Sequence, residues 1–524
     1  KIQRSYQKRN LGFLLSDKNK LSKLVSSFTM IIETVVSLLV VWLTWSVITT
    51  YMMRRKMPPG PFPFPLVGNF PHMLCDTADP FSKLAEKYGD IYTLSFPTGN
   101  TVVLNTASLV REARLGKQGD LVGKTPESMY PFNEMLGDDF IIIDYSPKYI
   151  FRKKVFLSAL HDFESGMNFQ SSADHASYTV NILFEEIESN DEKRFCPREL
   201  IHASMVAQIW KIITSKEVAL NDSAVKSITE FARLVGSTAL NGTFYQMIPF
   251  ASYLPSQFNH NIKRAIEIRK TILPPEFRAH LETYQPNVIR DLTDSFINAF
   301  KKEITKQNGK DVGSLEDIQA LILDVFQAGA ETTSSSLAWF ILYMVLHKDI
   351  QKKIHEEIDM IVGKDRDPEL QDVKNMPFLQ AVICEVMRIT SVVPFAGTSA
   401  IRDTTIAGYH IPKGTLVALN LAGVHHDERE WPEPDVFKPE RFLDSEENFV
   451  GWTKLHGFMP FGLGRRECTG QSLGRTMVLT FASTLLHRYE LVLPDGAEKP
   501  TTKIFAPAIV LRPQDFEVLA KKQF

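Results

Sequence analysis

The residues with the clearest chemical purpose lie in one stretch, Phe461-Gly462-Leu463-Gly464-Arg465-Arg466-Glu467-Cys468-Thr469-Gly470. The pattern predicts a glycine-punctuated loop running into a helix that continues through about His487. Cys468 is expected at the amino-terminal end of that helix, where unpaired N–H groups and the dipole favour a thiolate. Gly462 and Gly464 permit main-chain geometry closed to other residues, which lets amides turn toward one atom. Arg466 adds a fixed positive charge near the sulfur, and Gly470 has no side chain to obstruct a flat ligand. Such a loop suits a sulfur anion beside something planar. Two plainer readings compete. A lone cysteine is usually a small buried hydrophobe, and a nucleophilic cysteine wants a histidine base that the local sequence lacks.

A second group lies in the apolar-periodic stretch from Ser314 to about Leu346, which predicts a long helix opened by Ser314 and Asp317 at capping-box spacing. Inside it runs Asp324-Val325-Phe326-Gln327-Ala328-Gly329-Ala330-Glu331-Thr332-Thr333. A glycine in a helix interior costs about 1 kcal/mol relative to alanine, and paired threonines weaken the helix further, so another demand must hold them there. Ala328 and Thr332 share one face, as do Gly329 and Thr333. The result is a shallow, hydroxyl-lined notch with Glu331 beside it; close packing of two helices at the glycine would use the same residues. A third feature, Glu385-Val386-Met387-Arg388, sets opposite charges three apart, which by itself is an ordinary surface pair.

These residues need a frame. Ile91 to Phe96 and Thr101 to Asn105 flank Pro97-Thr98-Gly99-Asn100 and predict a hairpin. From about residue 107 to 390 the period is helical, and Gly408 to Leu421 returns to strand around a Pro-Lys-Gly turn. A long irregular stretch then reaches about residue 460, with closing strands expected at Leu491–Leu493 and Phe516–Leu519. No repeat and no composition shift divides the body, which predicts one large domain over 67–524, mainly α with small β-sheets (α+β).

Composition narrows the class. Lys plus Arg number 59 against 61 Asp plus Glu, a net charge of −2, so no basic field exists to hold nucleic acid. With 44% hydrophobic and 23% charged residues the chain has ample core material, which excludes bulk disorder. The four cysteines, Cys75, Cys196, Cys384 and Cys468, form no CxxC pair, which excludes a disulfide scaffold and a cysteine-rich zinc site.

The amino-terminal region departs from this soluble balance. Thr34 to Met53 carries no charge and is long enough to span a bilayer core. Arg54-Arg55-Lys56 follows it directly, so residues 30–56 read as an uncleaved anchor with a basic stop, the downstream side in the cytosol. Residues 1–29 are basic with Asp17 as their acid, and Met30 stands just before the apolar run; they are expected to be an upstream extension absent from the working protein, with a mitochondrial presequence as the rival reading. Residues 57–66, rich in proline, predict a stiff, extended spacer between anchor and body.

On the spacing of Phe461, Gly462, Gly464, Arg466, Cys468 and Gly470 the chain resembles the cytochromes P450, over almost all of its length after the anchor. The resemblance implies the cytochrome P450 fold preceded by one transmembrane helix, holding haem b with Cys468 as axial thiolate, Arg466 near a propionate and Phe461 shielding the sulfur. Thiolate ligation favours O–O cleavage. The helix notch resembles the family's oxygen-binding motif. Ala328 and Gly329 are then expected against the cofactor, with Glu331 and Thr332 as the acid and alcohol that deliver protons. Because both are present, a monooxygenase is implied over the family's peroxide-using isomerases and dehydratases. Phe437-Lys438-Pro439-Glu440-Arg441-Phe442 resembles the family's second arginine element, which implies a structural network of Glu385, Arg388 and Arg441. The sequence departs from the family pattern twice. Tyr149 stands where a Trp is usual, with Lys153 as the basic residue four positions on. Thr398 stands where many relatives place His or Arg beside the other propionate.

The resemblance further implies an enzyme that uses O2 to hydroxylate a lipophilic small molecule, a steroid, fatty acid or xenobiotic. Electrons would come from NADPH through NADPH–cytochrome P450 reductase, with cytochrome b5 as a further partner. The reductase is expected on a basic face of Arg152, Lys153, Lys154 and Arg465, and the protein in the endoplasmic reticulum membrane, its catalytic domain facing the cytosol. A non-catalytic haem-binding membrane protein is the alternative of another class, with no need for Glu331 and Thr332. The segment Phe244 to Pro255 is merely apolar and names no substrate.

Overall fold

The computed structural model describes residues 29–524 apart from 74–78, 125–130, 138, 140, 167–168, 190–193, 247–252, 287, 307–312 and 505–508. The expected extension before Thr29, Cys75, and half of the apolar segment from Phe244 to Pro255 therefore lie outside the described residues. Helix α1 (Thr29–Arg54) is long and apolar enough to cross a membrane, and none of its most apolar stretch is buried by protein.

The proline segment after α1 is not a free spacer. Thr93 donates from its backbone N to Pro59 O at 2.6 Å and from Oγ1 to Pro58 O at 2.9 Å. Asn69 Nδ2 reaches Pro61 O at 3.2 Å, and Arg54 bonds both Pro61 O and Thr93 O at 2.8 Å. A Cβ on Gly60 would overlap Thr93 O, which is why this close approach needs a glycine. Strand-like proline backbone has few hydrogen bonds of its own to make, so docking satisfies its carbonyls. Met57 is buried with it, so the segment packs on the body at its entry from α1.

The strand Thr93 belongs to, β1 (Ile91–Phe96), forms the expected hairpin with β2 (Gly99–Leu104). β2 continues in parallel to β7 (Leu416–Asn420), which pairs antiparallel with β4 (Phe395–Ser399), giving the order β1-β2-β7-β4. In that register Thr398 lies opposite Val417. After β2 the chain enters α2 (Ala107–Arg111), which passes without a break into a π turn, Glu112–Gly116. Two smaller sheets, β5-β6 (Thr404–Ile406, Tyr409–Ile411) and β3-β9-β8 (Arg194–Phe195, Val518–Lys522, Tyr489–Val492), complete the β content.

The helical body is built from α3 (Pro147–Gly166), α4 (Phe169–Ser189), α5 (Pro197–Thr214), α6 (Ser223–Gln246), α7 (Gln257–Thr283), α8 (Leu292–Thr305), α9 (Ile318–Leu346), α10 (Lys348–Ile361), α11 (Pro377–Thr390) and α12 (Gln471–Arg488). α9 runs through its centre, packed on α5, α11 and α12. The Ser314–Asp317 capping box is present, on a 3₁₀ turn just before it. Asp317 also takes Arg152 Nη2 at 2.6 Å, which ties α3 to the same point. At the other end Trp339 Nε1 donates to Leu511 O at 3.0 Å and fixes the carboxy-terminal segment against α9. Burying side chains such as Leu337, Phe340 and Leu342 on all sides of α9 stabilises by roughly 1.5–3 kcal/mol each.

Candidate active site

Gly464 begins a 3₁₀ turn, Gly464–Arg466, at φ 77°, and a Cβ there would overlap the carbonyl oxygen of Arg114 in the π turn. The cysteine loop is thus seated on the π turn by a glycine that no other residue can replace. Cys468 N donates to Phe461 O at 2.9 Å and closes the loop. α12 starts at Gln471 with Gly470 as its cap, so Cys468 precedes the helix and is not its first residue. Burial pushes the thiol up, opposed by a bond from the Gly470 backbone and by the positive Arg475. Arg475, whose guanidinium lies 5.1 Å from the Phe461 ring, is therefore the cation that acts on this sulfur.

The expected partner, Arg466, is turned elsewhere. It donates to Val122 O and Ile143 O at 3.0 Å each and covers the Tyr149 ring at 3.7 Å. Cys468 is exposed, yet desolvation is the largest influence on its thiol. A residue lining an interior crevice has both properties. Beside it, a Cβ on Gly470 would meet nothing within 4 Å, so a flat group has room there.

Between Leu321 and Val345, all described residues, only Gln327, Ala328, Gly329 and Thr332 are not buried. The notch therefore exists, although its members differ. Ala328 and Thr332 open onto accessible space, and Thr332 Oγ1 donates to Ala328 O at 2.6 Å. A Cβ on Gly329 would come within 3.2 Å of Ile209 Cδ1, so this glycine serves the approach of α9 to α5. Glu331 is buried. Its carboxylate meets Arg512 Nε at 2.6 Å and His202 Nε2 at 3.4 Å. Burial alone would push its carboxyl up; the His202 and Arg512 contacts overcome this and hold it below the ordinary range. His202, on α5, and Arg512, near the carboxy terminus, are remote in sequence and carry no local signal that would have found them.

Above the strand order a group of cations assembles. Arg114 is 5% exposed, and its Nη1 reaches Thr398 Oγ1 at 2.8 Å and Leu121 O at 3.3 Å. Lys124 Nζ donates to Gly397 O at 2.7 Å. Burial, with Arg466 beside it, pushes Arg114 down to about 10; burial, with both arginines beside it, pushes Lys124 down to about 7. Neither makes an ion pair with a described residue. Lys153, expected in this role, instead bonds Arg465 O at 2.6 Å. A buried cationic edge near an open glycine and a thiol fits a flat ligand that carries carboxylates on one side.

Glu385 and Arg388 are both fully buried, and the arginine holds the carboxylate through Nε at 2.7 Å and Nη2 at 2.9 Å. Arg441 approaches the same carboxylate at 3.4 Å, and Lys438 N donates to it at 2.9 Å. His425 bonds Ser391 Oγ at 2.9 Å and accepts from Met459 N at 3.2 Å, while His426 bonds Ala422 O, so the two histidines serve different partners. Burial, with His426 and Arg388 beside it, pushes His425 down to about 3 and keeps it neutral.

Comparison with known proteins agrees with this arrangement. The sequence model of the family described as Cytochrome P450 matches residues 58–520. The steroid 17-alpha-hydroxylase/17,20 lyase of Squalus acanthias is 30% identical over 489 residues, covering 90% of this chain and 94% of that protein. Cytochrome P450 2E1 of Oryctolagus cuniculus is 31% identical over 469 residues, 87% of this chain and 93% of its own. Cytochrome P450 1A5 of Gallus gallus is 30% identical over 485 residues, 90% of each chain.

Proposed function

Because this chain belongs to the cytochrome P450 family, whose members use haem with a cysteine thiolate and O2 as monooxygenases, we propose that Cys468 is the thiolate and that the α9 notch is where protons reach the reacting oxygen. The bound group supplies the activation of O2. The protein supplies everything that positions it. Phe461, Gly462, Gly464 and Gly470 shape the loop around the sulfur, and Arg475 offsets part of the negative charge that a thiolate would carry there.

The observation that carries this reading is the opening of α9 at Gln327, Ala328, Gly329 and Thr332 in a helix otherwise buried from Leu321 to Val345. Thr332 holds its hydroxyl proton on Ala328 O at 2.6 Å, and its oxygen is free to turn that proton toward the notch. Glu331 is kept ionised by Arg512 and His202, so at rest it is a proton acceptor. Recharging Thr332 then requires Glu331 to take a proton from the His202 side and pass it on. The substrate is a lipophilic small molecule of the steroid or foreign-compound kind, in line with the relatives' names and with the apolar α1 that sets the body beside a membrane. The proposed site is the cytosolic face of the endoplasmic reticulum. Electrons come from NADPH through a flavoprotein reductase, with cytochrome b5 as a second donor, docking on Lys153, Lys154 and Arg465. Arg152 leaves that face, since it is 1% exposed and paired with Asp317.

The test is Thr332→Ala in the reductase-coupled holoenzyme. Product formed per NADPH should fall by up to about 10²-fold, the lower end of what a positioned proton donor supplies, with peroxide released instead and thermal stability unchanged. Unchanged coupling would remove the proton-delivery role.

A further inference from the structure

We propose that Arg114, carried inward by the π turn, replaces the strand cation that this chain has lost at Thr398 and, with Lys124, binds a carboxylate of the porphyrin. The inference rests on the haem reading above and deepens it by naming which residues hold the group's acidic edge.

Three independent observations meet at this side chain. The first is its root. The π turn is marked by the Lys117 N bond to Glu112 O at 2.9 Å, five residues apart, which accommodates one residue more than an α-helix would over the same span. That extra residue rotates the segment so that Arg114 points inward, and Gly464 of the cysteine loop packs directly on its carbonyl oxygen. The guanidinium therefore starts beside the loop that carries Cys468.

The second is its company. Arg114 has Arg466 and Lys124 as charged neighbours, and among the described residues neither Arg114 nor Lys124 has a carboxylate partner. Asp144 accepts from the Lys124 backbone N at 2.8 Å and lies near Arg466, leaving the other two cations uncompensated. Like charges buried together are unfavourable unless an anion joins them.

The third is Thr398 itself. Its hydroxyl accepts from Arg114 Nη1 and donates to Leu121 O at 2.8 Å. A short residue there leaves room for the arginine and orients it. The hydrogen bonds of Arg114 to described residues all run from Nη1, which leaves its Nε and Nη2 as donors for a further acceptor. A fork of two such N–H donors has the geometry that takes a carboxylate.

Haem release from the holoprotein to excess apomyoglobin tests this, comparing wild type with Arg114→Met, Arg114→Lys and the double variant Arg114→Met, Thr398→His. Arg114→Met should release haem about tenfold faster, the loss expected for one charge-assisted bond. Arg114→Lys should fall between, the double variant should recover most of the loss, and the ferric/ferrous midpoint should drop in step with release. The urea midpoint of the apoprotein should not fall in Arg114→Met. Wild-type release from Arg114→Met overturns the proposal, as does equal acceleration by Met and Lys without recovery by His, which would make Arg114 a prop for the π turn. Wild-type protein that holds haem without a thiolate-type reduced carbon monoxide spectrum overturns the Cys468 assignment alone, because release rates remain readable. Protein that takes up no haem overturns both.

Discussion

Two buried charge groups lie in the same body and obey opposite rules. In the first, Glu385 accepts from Arg388, Arg441 and Lys438 N, while Arg388 spends its remaining N–H groups on His425 O and Pro434 O at 2.7 Å each. In the second, Arg114 is pushed down by burial and by Arg466, and Lys124 by burial and by both arginines. Both groups are desolvated, and among the described residues only the first contains its own counter-charge. The contrast separates a structural device, complete in the folded chain, from what we propose is a binding device, complete when an anion arrives.

The sharpest way to break this contrast is Glu385→Gln. It leaves Arg388 buried with no anion, which costs about 3–5 kcal/mol; thermal unfolding should show a large loss or no recoverable folded protein. A loss under about 1 kcal/mol would mean that the first group is not self-contained.

A third cluster sharpens the comparison through pH. His280 on α7 faces Asp291 and Asp294 at 3.0 and 3.3 Å, and Arg290 shares Asp294 at 2.7 Å. Burial lowers the His280 pKa, but its bonds to the two aspartates win and push it up to about 9. The folded value is raised, so this stabilisation is complete below about 6.5 and is lost as pH rises through about 9. Stability measured across that window should fall by an amount of order 3 kcal/mol more in wild type than in His280→Gln. Equal slopes would show the histidine to be unpaired in solution.

The smallest effect belongs to the second group and has the opposite sign of consequence. Lys124→Met in ligand-free protein should change stability by less than about 1 kcal/mol, since a desolvated, unpaired cation is removed. The same variant should hold haem less tightly. A large loss of apoprotein stability would place Lys124 in the structural class.

What was legible in the sequence follows this division. The Cys468 loop, the Ala328–Thr332 face and the Glu385–Arg388 pair are local patterns, so their positions could be read from spacing. The hairpin, the capped α9 and the strand Tyr489–Val492 were legible for the same reason, since each is set by short-range periodicity and turn residues, whereas the last strand is Val518–Lys522 and not the expected Phe516–Leu519. Contacts made across hundreds of residues were not. Arg512 and His202 reach Glu331 from distant segments, and Arg114 sits in a helical pattern where a basic residue looks solvated. Its inward turn depends on a π geometry that composition does not announce. The proline segment showed stiffness but not that Thr93 would bind it. Arg475 rather than Arg466 is the cation that acts on the Cys468 thiol, because spacing gives nearness along the chain and says nothing of which way a guanidinium turns.

The proposed oxygen chemistry stands on sulfur ligation by Cys468, and one spectrum addresses it. Purified holoprotein is reduced with dithionite and exposed to carbon monoxide, alongside Cys468→Ala. Wild type should show the Soret maximum displaced to long wavelength that marks a thiolate ligand, and the variant should lose it. Haem bound in good yield to wild type with an undisplaced maximum would contradict the assignment of Cys468.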